Sequence, residues 1–252
     1  MSTRQRQFRQ RLIDGARLAG TFQKTPSPVV AEVLGLSPLD VVCLDAEHAP
    51  FGRVELDLAL AAMRAADMPS LVRVSDDSAT ALRNALDSGA TGVLVPHVVD
   101  AEQAARIVKR CHFGEGGRGF AGSPRSAGYG TKPAPEYLAD SRQQTAIVVQ
   151  IEDLVALDNV AAIAATDGVD ALFIGRADLA VAMGEAASAT SVIETVESIC
   201  RVGREAGIAV GMFTPDVAEV PRWCELGASL FLLRSDHAFM LGGAAELAAA
   251  IR

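Results

Sequence analysis

Apolar and polar residues alternate in blocks along the chain. Eight short runs are rich in β-branched and aliphatic residues: GTFQ (20–23), DVVCLD (40–45), SLVRV (70–74), GVLVP (92–96), AIVVQIE (146–152), DALFIG (170–175), IAVGMF (208–213) and SLFLL (229–233). Most are apolar at nearly every position rather than at alternate ones. That pattern belongs to strands buried on both faces, as in a parallel sheet. Between them lie Ala-, Glu- and Arg-rich stretches with helical spacing, at 27–35, 53–66, 77–88, 100–111, 153–165, 190–206, 215–226 and 236–251. Eight strand–helix pairs predict an α/β protein built as a closed (β/α)8 TIM barrel. An open doubly wound sheet would need a glycine-rich turn after the first strand, and QKTPSP supplies none.

The punctuation agrees. SGATG (88–92), TDGVD (166–170), EAGI (205–208) and ELGAS (225–229) each place glycine just past a helix and before a strand. These read as helix C-caps on the face opposite the mouth. The longest connection, residues 112–145, is rich in Gly, Ser and Pro. Connections of that length are uncommon in a compact domain and are usually functional. Four pairs precede it and four follow, so it is not an interdomain linker, and 1–252 reads as one domain.

A chain of 252 residues suits a single barrel. Its formal charge of -8 favours solubility and argues against a nucleic-acid surface. Arg4, Arg6, Arg9 and Arg11 fit one amphipathic first helix better than a targeting segment, because no apolar signal core follows. There is no apolar run of about 18 residues, hence no membrane span. Cys43, Cys111, Cys200 and Cys224 are not spaced as CxxC. They read as buried or half-buried thiols rather than a zinc site, in a reducing cytoplasm.

Polar chemistry concentrates where the strands end. The second run stops in Asp45, Glu47 and His48. The third carries Arg73, and the fourth leads to His97. The fifth carries Gln150, Glu152 and Asp153, the sixth leads to Arg176 and Asp178, and the eighth to Arg234, Ser235 and Asp236. In a (β/α)8 barrel, catalytic groups sit at this C-terminal face on several strand ends. Glu152 and Asp178 come from neighbouring strands. Held close, they repel unless a cation lies between them or one takes a proton, and they suit Mg2+ or Mn2+. Asp178 has a second reading, as the cap of a short helix after GR. Arg73, in an otherwise apolar strand, reads as a carboxylate or oxyanion binder, or as a structural ion pair to Asp45 or Glu47. His48 is the acid–base candidate, with Asp45 three residues earlier to orient its ring. Glu47 is a supporting metal partner or a salt bridge to Arg73, and His97 lines the pocket. Of the three lysines, only Lys24 reaches the mouth, so a Schiff-base mechanism rests on it alone.

LDAEH, VRV, GVLVPHV, GGRGF…PRSAGYG, QIE and GVDALFIGRADLAVAMG together resemble the HpcH/HpaI family of metal-dependent (class II) pyruvate aldolases, over about 20–233. The resemblance implies a barrel whose last helix is exchanged between subunits of a homohexamer. It implies a divalent cation (Mg2+, Mn2+ or Co2+) held by Glu152 and Asp178. Pyruvate would chelate that cation, with Arg73 supporting its oxygen and Gln150 lining its site. Backbone N–H groups around Gly175, Arg176 and Ala177 would bind the carboxylate. His48 with Asp45 would be the acid–base pair, acting through a water on the cation. The activity implied is reversible cleavage of a 4-hydroxy-2-oxo acid into pyruvate and an aldehyde, in aromatic or sugar-acid catabolism. Two positions depart from the family: Arg176 stands where proline is common, and Phe22 where tryptophan is common. They bear on the aldehyde partner. Two other readings keep the barrel. One is a lyase of CoA esters or phosphorylated acids, for which Arg118 and Arg125 would begin a nucleotide channel. The other is an organic-acid-binding barrel without turnover.

Overall fold

The apolar runs form eight parallel strands. The computed structural model describes residues 3–252. The strands are β1 (Leu18–Gln23), β2 (Val41–Asp45), β3 (Ser70–Arg73), β4 (Gly92–Val95), β5 (Ala146–Ile151), β6 (Ala171–Ile174), β7 (Ala209–Thr214) and β8 (Ala228–Ser235). Each pairs with the next and β8 pairs back onto β1, closing the barrel. The helices are α1 (Thr3–Ile13), α2 (Pro28–Gly35), α3 (Arg53–Ala65), α4 (Ala79–Asp87), α5 (Ala101–Cys111), α6 (Ala134–Gln144), α7 (Val160–Ala164), α8 (Arg176–Met183), α9 (Thr190–Ala206), α10 (Val220–Glu225) and α11 (Asp236–Ile251). The (β/α)8 expectation holds.

Strand parity sorts the core into two layers. Successive side chains point to opposite faces. Val41, Cys43, Leu71, Leu94, Val148, Phe173, Leu230 and Leu232 fill the barrel interior. Their neighbours Val42, Leu44, Val72, Val149, Leu172 and Ile174 face the helices. The same parity carries on to the strand ends. Counting by two from the inward Val41 and Cys43 reaches Asp45, and Leu71 leads to Arg73. Val148 leads to Gln150 and then Glu152. Four polar groups are thereby aimed into the mouth by the period of the strands alone.

The opposite end is sealed by α1. Phe8 and Leu12 are fully buried with Leu18 beneath the barrel. Arg9 binds Asp170 in a fork, with Nε at 2.9 Å and Nη2 at 2.8 Å. The basic face read from sequence is thus a docking face.

Several boundaries differ from expectation, among them β8, which runs on to Ser235. β1 starts at Leu18, two residues early. The helices expected at 153–165 and 215–226 each begin as a 3-10 turn, Leu154–Asn159 and Val217–Glu219, before α7 and α10. The long connection contains α6. Because it follows α5 and precedes β5, it runs on the face away from the mouth. Phe113, Phe120 and Tyr137 cluster with ring centroids 5.2–6.1 Å apart. Arg118 stacks on Phe113 at 4.5 Å and binds Asp87 through Nε at 3.1 Å. Arg125 binds Asp57, with Nη2 at 2.6 Å. Neither arginine starts a nucleotide channel at the mouth.

Candidate active site

Asp45 and Arg73 are register partners on β2 and β3. Arg73 donates to Asp45 through Nε at 3.0 Å and Nη2 at 2.8 Å. Asp45 is fully buried and Arg73 is 7% exposed. Burial alone would raise the Asp45 carboxyl. The hydrogen bonds and charge of Arg73 outweigh it, helped by the His48 N–H and Lys24, and hold it below the usual carboxylate range. Arg73 also lies 4.7 Å over the Phe22 ring and 3.2 Å from Glu47 Oε2. Arg73 is thus ion-paired, as one of its two readings expected, and it also lines the mouth cavity.

The expected orientation of the His48 ring by Asp45 is corrected. Asp45 Oδ1 accepts the main-chain N–H of His48 at 3.1 Å, so it fixes the turn and not the imidazole. The ring is largely exposed, and its Nε2 lies 3.6 Å from Glu47 Oε2. Glu47 bridges three groups: Arg73, His48 and His97 Nε2, the last at 3.6 Å. Lys24 does reach the mouth, with Nζ 3.5 Å from Asp45 Oδ2.

Across the barrel, Glu152 is 4% exposed. Burial pushes its carboxyl above the ordinary range and the charge of Asp178 adds to that. The His97 N–H and the Gln150 amide offset it only in part. His97 N donates to Glu152 Oε1 at 2.8 Å, and Gln150 Nε2 donates to Oε2. His97 takes a left-handed backbone conformation (φ 56°) that aims this N–H. Burial alone would lower its imidazole. The Asp153 carboxylate at 3.0 Å, with the charges of Glu152, Asp153 and Glu47, reverses that and raises it.

Gly175 ends β6 beside Glu152. A Cβ there would come within 2.6 Å of Glu152 Cβ, so no other residue fits without displacing the carboxylate. α8 starts at the next residue with no side chain capping it among the described residues. Its first N–H groups, at Arg176 and Ala177, stand open at the cavity rim and suit an anion. Asp178 is exposed in this first turn and lines the same cavity. Arg176 does not add free charge there. It pairs with Glu219 at 2.7 Å, a residue overlooked in the sequence because its 3-10 turn carries no motif. Glu219 also accepts from Trp223 Nε1 and Thr214 Oγ1, at 3.3 and 3.2 Å.

Of these groups, Lys24, Arg73, Gln150, Gly175, Arg176, Ala177 and Asp178 line a cavity of about 390 Å³, while Asp45, Glu47, His48, His97 and Glu152 lie outside its lining. Phe22, Phe173 and Phe213 form apolar walls, and Lys24, Arg73, Gln150, Arg176, Asp178, Arg234 and Ser235 are its polar lining. Phe173 and Phe213 were not singled out from sequence, although strand parity would have turned Phe173 inward. A divalent cation suits the donors present. Ligand atoms of Glu47, His97 and Glu152 lie within 4.8 Å of one another, and Glu152 is common to this set and to the expected pair with Asp178. Buried Gln150 Oε1 and Glu47 Oε2 have no hydrogen-bond partner among the described residues. A set dominated by carboxylate and amide oxygen is what a hard cation prefers.

Known proteins share this architecture. The model of the HpcH/HpaI aldolase/citrate lyase family matches residues 18–239. A 5-keto-4-deoxy-D-glucarate aldolase of Salmonella arizonae is 37% identical over 232 residues, which is 91% of this chain and 90% of the relative. The crystal structure of an HpcH/HpaI aldolase/citrate lyase family protein from Burkholderia cenocepacia superposes with a TM-score of 0.92 at 33% identity, covering 98% of this chain and 99% of that one. An HpcH/HpaI aldolase from Desulfitobacterium hafniense does so at 0.87 and 27% identity, covering 96% and 95%. Sequence and barrel agree, and the chain belongs to the HpcH/HpaI aldolase/citrate lyase family.

Proposed function

We propose that this protein catalyses reversible aldol cleavage of a 4-hydroxy-2-oxo acid to pyruvate and an aldehyde, with a divalent cation (Mg2+, Mn2+ or Co2+) held by Glu152 and Asp178. The observation that carries the reading is Arg73, a guanidinium fixed by Asp45 inside the mouth and facing the cavity. Its Nη1 makes no hydrogen bond among the described residues, which leaves the two N–H groups of Nη1 for substrate oxygen.

The residues divide the work. The open N–H groups at the start of α8, by Gly175, Arg176 and Ala177, take the substrate carboxylate. Gln150 and Phe22 flank the oxo-acid portion. His48 accepts the C4 hydroxyl proton. The C3–C4 bond breaks, and its electron pair flows toward the C2 oxygen to leave a pyruvate enolate and an aldehyde. Arg73 meets the negative charge that develops on that oxygen, usually the largest single catalytic contribution. A proton delivered to C3 completes pyruvate. Asp45 holds two neighbours on one side of the mouth, Arg73 on β3 and the His48 turn after β2, by the same carboxylate. When bound, a divalent cation supplies Lewis-acid polarisation of the C2 carbonyl.

Pyruvate release from a panel of 4-hydroxy-2-oxo acids tests the reaction. Release that stops in excess EDTA and returns with Mg2+ or Mn2+ is expected. Release undiminished by chelator overturns the metal requirement. No release from any free acid, with release from CoA esters, overturns the substrate class.

The assembly follows the same reading. In α11 only Asp236 is buried, while Phe239, Met240, Leu241, Leu247 and Ile251 are exposed. An apolar face of that kind favours a protein contact, and a second copy of the chain, within a homohexamer, is the proposed occupant. A single-subunit mass in sedimentation overturns it. The four free cysteines, three of them buried, suit a reducing cytoplasm. Among the described residues no helix is long and apolar enough to cross a membrane.

A further inference from the structure

We infer that Arg234 selects the aldehyde half of the substrate by binding a second, distal carboxylate. The inference rests on the aldolase reading and adds to it a residue that sets specificity for the aldehyde half.

Three observations converge on this residue. Arg234 lies at the end of β8 in a left-handed conformation, φ 59°, which L side chains rarely adopt. The β1–β8 register shifts there: Gly20 faces Leu232, yet Phe22 faces Ser235, so β8 carries one extra residue opposite β1. Bulges of this kind re-aim a side chain, and they gather beside active sites. The bulge is held from both sides. Thr21 Oγ1 donates to the Leu233 carbonyl at 2.8 Å, and buried Asp236 accepts the Lys24 and Thr25 N–H groups at 2.8 and 2.9 Å. Backbone strain maintained by such ties is a feature of functional positions.

The third observation is the side chain itself. Arg234 lines the mouth cavity and has no hydrogen-bond or ion-pair partner among the described residues. The adjacent carboxylate, Asp236, is spent on main-chain N–H groups. The other two arginines of this cavity are already paired, Arg73 with Asp45 and Arg176 with Glu219. Phe22 relates the two ends: its ring carries the Arg73 guanidinium, and its backbone pairs with Ser235, next to Arg234. A cavity of about 390 Å³ is within the ordinary range for small-molecule sites, which leaves room beyond a three-carbon oxo acid. A planar fork at its rim matches a carboxylate.

The test is aldol addition of pyruvate to matched aldehydes: glyoxylate against acetaldehyde, and succinate semialdehyde against butanal. The wild type should prefer the carboxylated member of at least one pair. Arg234→Gly keeps the fold, since glycine accepts the left-handed backbone. It should lower the ratio of kcat/KM, carboxylated over neutral, by about tenfold or more, the usual worth of a hydrogen bond to a charged group. Arg234→Lys should restore part of the ratio. An unchanged ratio in Arg234→Gly, or a wild type that accepts only neutral aldehydes, overturns the inference and leaves the aldolase reading standing. A wild type that joins pyruvate to no aldehyde overturns both.

Discussion

Replacing Asp45 should loosen the mouth more than any other single polar change. Its carboxylate accepts two hydrogen bonds from Arg73, at 3.0 and 2.8 Å, and one from the His48 main chain at 3.1 Å. Arg73 is 7% exposed, so without Asp45 it becomes a nearly buried cation with a depleted shell. Breaking a buried ion pair from one side costs about 3–5 kcal/mol. Glu47 Oε2, 3.2 Å from Arg73 Nε, takes up part of the charge. We therefore expect Asp45→Ala to cost about 3 kcal/mol, the lower end of that range. Asp45→Asn can still accept the His48 N–H and should cost less. In Asp45→Asn with Arg73→Met the stranded cation is gone, so the coupling in a double-mutant cycle should be about 2 kcal/mol. Urea unfolding at fixed protein concentration measures it, read as a shift in midpoint at constant slope. The pH dependence has a definite sign. Asp45 is depressed in the folded state, so its contribution is present above the unfolded value of about 3.9 and is lost as pH falls through the folded value. A coupling below about 0.5 kcal/mol would refute the claim that this pair braces the site.

Two further outcomes follow from the same geometry. Arg73→Ala should lower kcat by about 10²–10³, the loss typical of one oxyanion donor, and Arg73→Lys should not restore it because a point charge cannot keep the fork to Asp45; steady-state pyruvate release reads this. Asp236→Asn should cost about 1–3 kcal/mol at pH 7 by weakening its bonds to Lys24 and Thr25. Burial raises that carboxyl, but its hydrogen bonds to Thr25 and Lys24 outweigh this and hold it low, so the difference in melting temperature should shrink below about pH 4 and vanish only as pH falls through the lower folded value.

The strands were legible because barrel strands are buried on both faces, and that leaves a continuous apolar signature. The inward aim of Asp45, Arg73, Gln150 and Glu152 was legible in principle by counting in twos. What sequence distance could not reveal was competition for one carboxylate. Asp45 and His48 are three residues apart, but a turn after a strand offers the nearer main-chain N–H, and the register of β2 and β3 brings the longer arm of Arg73 to the rest. Glu219 was invisible for a similar reason: its role depends on Arg176, 43 residues away. The location of the long connection on the far face could be read from chain order rather than from composition, since an α-to-β connection of a parallel barrel returns to the strand starts. The left-handed backbones of His97 and Arg234 carry no local signal, because neither residue is glycine.

The central claim is that this mouth generates a pyruvate enolate, and proton exchange at pyruvate C3 tests it without knowledge of the aldehyde. Pyruvate in D2O with enzyme and Mg2+ should lose its methyl proton signal in NMR well above the background rate. Chelator should stop the exchange, and Arg73→Ala should slow it about a hundredfold or more. Exchange no faster than in buffer, or equally fast in chelator and in Arg73→Ala, would contradict the account.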